Sequence, residues 1–207
     1  MLGIGIPYYK NSPECEVAFK KLVNTLDKQL TNDMRLIYYE DGQSSEWLKY
    51  YDRGVSKVVS NIINNGVAFA RNVILRYLKL QGCNYILFID SDDMVDCNYL
   101  SEMYEACKSK EYDLIESPFF VNGREYQYYL RDNVSGCAIK MDLIGDLEFS
   151  EYYNVSEDTI FIHTLYDKKK NLKRFMISAR YFYNYGINPN SLMMRFERSE
   201  IKLMKEV

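Results

Sequence analysis

Three aspartates, Asp90, Asp92 and Asp93, follow directly on the apolar run Tyr85–Ile89, with only Ser91 among them. Like carboxylates this close repel one another unless a cation or a proton relieves them, and hard oxygen ligands suit Mg²⁺ or Mn²⁺. Such an ion keeps several waters and takes further ligands from substrate phosphates, so the cluster points to a diphosphate-bearing substrate. The plain alternative is a solvated turn or a cap on the next helix. Rival phosphate machinery is missing: the chain has no G-x-x-x-x-G-K-[ST] loop, Gly3 and Gly5 lack the third glycine of a dinucleotide fingerprint, and no G-x-S-x-G elbow occurs. The single histidine, His163, excludes sites built from two or three imidazoles and reads as a packed core residue between Ile160, Phe161 and Leu165. The five cysteines are odd in number and irregularly spaced, which fits buried, reduced thiols rather than a disulfide framework or a zinc knuckle.

The elements that must position the acidic cluster follow from the apolar pattern. In open α/β sheets the carboxyl ends of the strands face the ligand crevice, and YILFI has the length and composition of a central strand buried on both faces. The other strands expected before it are Leu2–Ile6, ended by Pro7, then Arg35–Glu40 and Ser56–Ser60. Helices are expected from Pro13 to Leu30, capped by Ser12 and with Val17, Phe19, Leu22, Val23 and Leu26 on one side, and from Val67 to Leu80. Beyond the cluster come a helix near Tyr99–Lys110 and a strand near Leu114–Phe120. Further strands fall at Tyr126–Leu130, Cys137–Lys140 and Lys173–Tyr185, around a helix at Glu157–Tyr166. The fold class is α/β, with a central, mostly parallel sheet and helices on both faces.

Composition bounds the rest. The 207 residues suit one domain, 47% apolar and 27% charged is an ordinary globular balance, and 26 basic against 29 acidic residues give a net charge of −3. That near-balance supplies no field for coating nucleic acid, so no stable nucleic-acid binding is expected. No stretch approaches the roughly 20 apolar residues that span a bilayer, and MLGIGIPYYK lacks a signal-peptide layout, which predicts a cytoplasmic protein. The run Lys168–Lys170 with Lys173 and Arg174 reads as a solvated turn, with peripheral contact to an anionic membrane as the alternative. The 20 tyrosines, several in adjacent pairs, read mainly as half-buried strand and helix residues.

In order along the chain, IGIPYY (Ile4–Tyr9), YEDG (Tyr39–Gly42), NNGVAFARN (Asn64–Asn72), YILFIDSDD (Tyr85–Asp93) and SED (Ser156–Asp158) stand at intervals that resemble glycosyltransferase family 2. These are inverting enzymes of GT-A fold that use nucleotide-sugar donors. The resemblance covers nearly the whole chain and implies a single GT-A domain over 1–207, with a nucleotide-sugar half (1–93) and an acceptor half with a closing segment (94–207). It implies a metal-dependent transfer, with inversion, from a UDP-sugar to a hydroxyl acceptor such as a glycan. It further implies that Pro7, Tyr8 and Asp41 surround the nucleotide base, Asp41 accepting from the uracil ring N–H. Arg71, in the first turn of its helix, would reach the base or the diphosphate. Asp90 with Ser91 would hold the ribose or assist the metal, Asp92 would bind the Mn²⁺ or Mg²⁺ ion, and Asp158 would be the base that takes the acceptor's proton. Taken alone, Asp41-Gly42 is a turn, Arg71 a surface arginine, and Ser156-Glu157-Asp158 an ordinary helix start. The tail YNYGINPNSLM (Tyr183–Met193) resembles the family's closing segment, but Gly186 and Asn188 stand where arginines are common. Arg195 or Arg180 would then have to clamp the diphosphate. Two other readings are a nucleotide-sugar-binding module without turnover, and transfer to a modified DNA base. Tyr126–Arg131 and the surroundings of Tyr152 and Tyr153 are the expected acceptor walls.

Overall fold

The computed structural model describes residues 1–126, 131–183, 192–200 and 202–204. In chain order the elements are β1 (Leu2–Tyr8), α1 (Pro13–Asp27), β2 (Met34–Asp41), β3 (Ser56–Asn61), α2 (Val67–Leu80), β4 (Tyr85–Phe88), β5 (Met94–Val95), α3 (Tyr99–Lys108) and β6 (Leu114–Glu116). There follow β7 (Phe119–Val121), β8 (Arg124–Tyr126), β9 (Cys137–Lys140), α4 (Met141–Ile144), α5 (Glu157–Lys168), β10 (Arg174–Met176), β11 (Tyr181–Tyr183) and α6 (Leu192–Glu197). Seven strands form the main sheet in the order β10-β6-β9-β4-β1-β2-β3, and every pairing is parallel except the two that β9 makes with β4 and β6. A second sheet, β5-β11-β7-β8, lies beyond the acidic strand end.

The alternation of β4 divides the core. Tyr85, Leu87 and Ile89 enter one apolar cluster with Phe19, Leu22 and Leu26 of α1 and Leu100 and Met103 of α3. Ile86 and Phe88 enter the other, with Ile74 and Leu78 of α2 and Phe161 and Leu165 of α5. Helices therefore cover both faces of the central strands. Gly5 explains the close approach of α2 to β1: a Cβ there would run into the Ile74 side chain. The glycines of β1 thus serve helix packing rather than a phosphate loop.

Several expectations are corrected in detail. Pro7 does not end β1, which continues to Tyr8 beside β2. Gly5 and Pro7 face the β4 side, where Ile89 N–H bonds the Gly5 carbonyl and β4 has already ended, so the N–H that proline lacks has no ladder to join. Ser12 caps α1 through Cys15 N–H at 3.2 Å, but the helix stops at Asp27 and Val17 is exposed rather than on its apolar side. The expected strand 114–120 is two strands in different sheets, parted at Ser117-Pro118, and 173–185 likewise resolves into β10 and β11. Residues 127–130 of the expected strand, and 184–191 of the closing segment, lie outside the described residues. His163 is not a core residue; its ring is half exposed, 2.9 Å from Asp132. Among the described residues no helix is long and apolar enough to cross a membrane.

Candidate active site

The carboxyl ends of β1, β2 and β4 open onto one cleft of about 550 Å³, whose wall includes Pro7, Tyr8, Asp41, Arg71, Asp90, Ser91, Asp92 and Asp158. All the sequence-predicted site residues thus share one cavity, although Asp158 comes from α5 and the others from the first 92 positions.

Several are held by identifiable contacts. The Tyr8 ring packs on Phe19 of α1, 4.0 Å between centroids, and burial together with the nearby Glu16 carboxylate pushes its hydroxyl pKa up. Asp41, at the end of β2, accepts from the backbone N–H of Asn65 (3.0 Å) and of Gly66 (2.8 Å), organising the turn that starts α2. Gly66, with φ at +92°, has the left-handed backbone that this turn requires.

Arg71 is the main departure from expectation. It lies in the second turn of α2, not the first, and is 3% exposed. Its Nη2 donates to Asp90 Oδ1 at 2.8 Å and its Nη1 to Glu157 Oε1, while Phe88 and Phe149 flank the guanidinium. Burial alone would lower its pKa, but Asp90, Glu157 and Asp158 outweigh that and raise it, so the cation is permanent. Arg71 therefore ties the end of β4 to the start of α5. Ser135, which belongs to no motif, donates to the other oxygen of Asp90 at 2.7 Å.

Asp93 is wholly buried and faces away from the ligand role given to its neighbours: it accepts from the Tyr181 hydroxyl at 2.5 Å, and that same hydroxyl accepts from Asp90 N–H at 3.2 Å. Tyr181 stacks on Phe119, and Phe119 on Tyr183, so the second sheet braces the acidic turn. Tyr183 borders the cleft; burial first, then the charges of Asp90, Asp93, Asp92 and Asp158, push its pKa up.

At α5, Ser156 is not the expected capping serine. It has a left-handed backbone (φ 66°) and makes no cap bond, while Asp158 Oδ1 accepts from Thr159 N–H at 2.8 Å. Burial pushes Glu157 up to about 7 despite Arg71, with Asp158 adding to the rise. Burial also raises Asp158, against the opposing pull of Arg71 and with help from Asp90. A carboxylate raised in this way is a better proton acceptor than an ordinary aspartate. Of the two arginines considered as clamps, Arg195 borders the cleft, whereas Arg180 is bound to Asp96 at 2.9 Å outside it. Of the residues expected as acceptor walls, Tyr126 borders the cleft, as do Asp132, Asn133, Asn154 and Val155; Tyr152 and Tyr153 do not.

Residues 4–183 match the family described as Glycosyl transferase family 2. The chain belongs to that family. Within it, the poly(ribitol-phosphate) β-N-acetylglucosaminyltransferase TarP of Staphylococcus aureus is 25% identical over 175 residues, covering 82% of this chain and 51% of TarP. An uncharacterised glycosyltransferase of Bacillus subtilis, EpsJ, is 22% identical over 78% of this chain and 45% of its own length. The chain spans about half the length of the curated relatives it matches. In fold, the family 2 domain resembles S. aureus TarS solved with UDP-GlcNAc, with a TM-score of 0.71 at 18% identity over 89% of this chain and 59% of that one. It also resembles the mannosyltransferase PcManGT from Pyrobaculum calidifontis in complex with GDP-Man and Mn²⁺, with a TM-score of 0.64 at 11% identity over 89% and 58%.

Proposed function

We propose that this family 2 domain transfers a sugar from a UDP-sugar, with UDP-GlcNAc the first candidate, to a hydroxyl acceptor with inversion at the anomeric carbon. The observation that carries the reading is that Asp92 and Asp158 border one cleft and that the Asp90–Arg71–Glu157 chain of ion pairs connects their supports. The bound UDP-GlcNAc in TarS and the acetylglucosaminyltransferase name of TarP favour the donor.

In this mechanism Pro7, Tyr8 and Asp41 seat the base, Asp41 accepting the ring N–H that uracil offers and adenine lacks. Ser91 and Asp90 face the ribose, and Arg71 holds Asp90 in place rather than touching the diphosphate. Arg195 is the guanidinium offered to the phosphates. Among the described residues no three His, Cys, Asp or Glu side chains form a ready-made metal cage. Mg²⁺ and Mn²⁺ need only one or two carboxylates when substrate phosphates complete the shell, so the donor set around Asp92, with Asp90 behind it, fits such an ion. When bound there, it would offset charge on the departing nucleoside diphosphate. Asp158 accepts the acceptor's hydroxyl proton on the face of the sugar opposite the leaving group, its burial raising it for that task.

Asp158→Asn should leave UDP binding by calorimetry intact and lower transfer on the order of a thousandfold. Unchanged turnover in that variant would remove Asp158 from the role. Asp92→Ala should abolish the response of the rate to Mn²⁺ or Mg²⁺. Tight UDP binding without any UDP release from UDP-sugars would instead indicate a binding module. The TarP name makes a phosphate-bearing polyol one candidate acceptor class, and an uncharged glycan is the other.

A further inference from the structure

We propose that Tyr181 and Ser135 are positioning residues of the ion-holding turn: their hydroxyls fix the loop from Asp90 to Asp93 so that Asp92 is presented to a divalent ion. The inference rests on the transferase reading above and gives two residues outside every motif a part in the same site. Within the turn, Asp93 N–H donates to the Asp90 carbonyl at 3.1 Å. From outside, the Tyr181 hydroxyl joins the same two residues, accepting from Asp90 N–H at 3.2 Å and donating to Asp93 Oδ2 at 2.5 Å. Ser135 Oγ donates to Asp90 Oδ2 at 2.7 Å, while Arg71 holds Oδ1. Asp92 lies between the two anchored aspartates and borders the cleft. Hydrogen bonds to a carboxylate are of the stronger, charge-assisted kind, so they set where the intervening residue can point.

The two hydroxyls come from segments packed on each other. Tyr181 is wholly buried, with its N–H on the Pro118 carbonyl at 2.9 Å and its ring stacked on Phe119, 5.3 Å between centroids. Gly136 meets the same ring: its backbone is left-handed (φ 72°), and a Cβ there would lie 2.6 Å from the tyrosine. Its N–H donates to the carbonyl of Phe88, the last residue of β4, at 2.9 Å. Ser135 thus grips the turn while the next residue seats Tyr181. Neither hydroxyl bond belongs to a strand ladder, so removing either leaves the hydrogen bonding of both sheets in place.

The test reads Mn²⁺ binding in the presence of UDP from the electron paramagnetic resonance signal of the free ion, beside calorimetry of UDP binding without metal. Tyr181→Phe keeps the ring and removes the hydroxyl. It should weaken Mn²⁺ binding on the order of tenfold, the usual loss when an outer partner of a metal ligand is removed, and by more than metal-free UDP affinity falls. Ser135→Ala, which takes away a smaller group, should shift Mn²⁺ binding in the same direction and decides the matter should the tyrosine variant not fold. Tyr85→Phe removes the hydroxyl bond to the Tyr112 carbonyl (2.6 Å) at the opposite end of β4 and measures a purely structural loss: a lower Tm with Mn²⁺ affinity unchanged. Mn²⁺ affinity in Tyr181→Phe and Ser135→Ala equal to that of the unmodified chain overturns the inference. So does an equal loss of Mn²⁺ affinity in Tyr85→Phe. Mn²⁺ binding that survives Asp92→Ala, or absence of UDP binding by the unmodified chain, would strike the ion or donor reading itself and take the inference with it, so the two kinds of failure are distinguishable.

Discussion

On the side of the cleft proposed to take the donor, up to Asp93, most lining residues leave the carboxyl end of a parallel strand: Pro7 and Tyr8 from β1, Asp41 from β2, Asp90 to Asp92 after β4. On the side proposed for the acceptor the walls are irregular backbone, and single side chains fix them. Arg131 donates to the carbonyls of Asn133 and Ser135, Asn72 grips Phe149, and Asn154 bonds the carbonyls of Lys202 and Leu203 near the end of the chain. The first arrangement is distributed over a sheet whose ladders are cooperative. The second depends on individual side-chain bonds, those of Asn72 and Asn154 spanning 77 and 48 positions. Substitutions that leave donor binding intact while abolishing transfer should therefore cluster among these ties.

The largest effect is expected at the residue common to both sides. Arg71→Met strands the buried Glu157, and the partly exposed Asp90 with it, without a counter-charge, which costs about 3 kcal/mol. Chemical denaturation should record that loss, and turnover should fall with it. A loss below about 1 kcal/mol would mean that the two sides are coupled by packing alone.

Asn72→Ala separates the sides more cleanly. It removes the acceptor of Phe149 N–H (2.7 Å) and the donor to Phe149 O (3.0 Å), at a cost of about 1–3 kcal/mol for buried groups left unpaired. UDP affinity should be little changed while kcat falls, because Phe149 stacks on Phe161 of α5 at 4.0 Å and so steadies the helix that carries Asp158. Equal losses in UDP affinity and kcat would contradict that division.

The same contrast explains what was legible beforehand. The parallel strands, α2 and the acidic turn follow from local apolar periodicity and turn residues, and β4 is buried on both faces as YILFI requires. The family motifs added Asp41 and Asp158, which local pattern alone reads as a turn and a helix start. Ser135 and Tyr181 carry no local signal: each acts through a partner 45 or 88 positions away. For the same reason the two carboxylate partners of Arg71, 19 and 86 positions along the chain, carried no local signal. His163 misled in the other direction: an imidazole within an apolar-looking stretch lies on the exposed side of α5, beside Asp132.

The buried acid pair also gives the acceptor side its own pH dependence. Glu157 is raised by burial from 4.5 to about 7, so the folded state holds that proton more tightly than the unfolded chain. The resulting stability is present below the unfolded glutamate value and is lost as pH rises through about 7. Glu157→Gln should flatten the fall in Tm across this window. A slope that survives the substitution would trace the pH dependence to another group.

The smallest effect belongs to the donor side. Ser12→Ala removes the cap that accepts from Cys15 N–H and costs about 1 kcal/mol, the usual value for such a bond. The loss stays within one helix start, because Pro13 already fills the first position and Phe19, Leu22, Val23 and Leu26 remain packed on the sheet. Its diagnostic use is in combination. With no bond shared between them, Ser12→Ala and Asn72→Ala should add in denaturation experiments to within about 0.5 kcal/mol. A larger coupling would mean that α1 and the 149–158 segment communicate through the sheet, and the two sides of the cleft would then be one mechanical unit rather than two joined at Arg71.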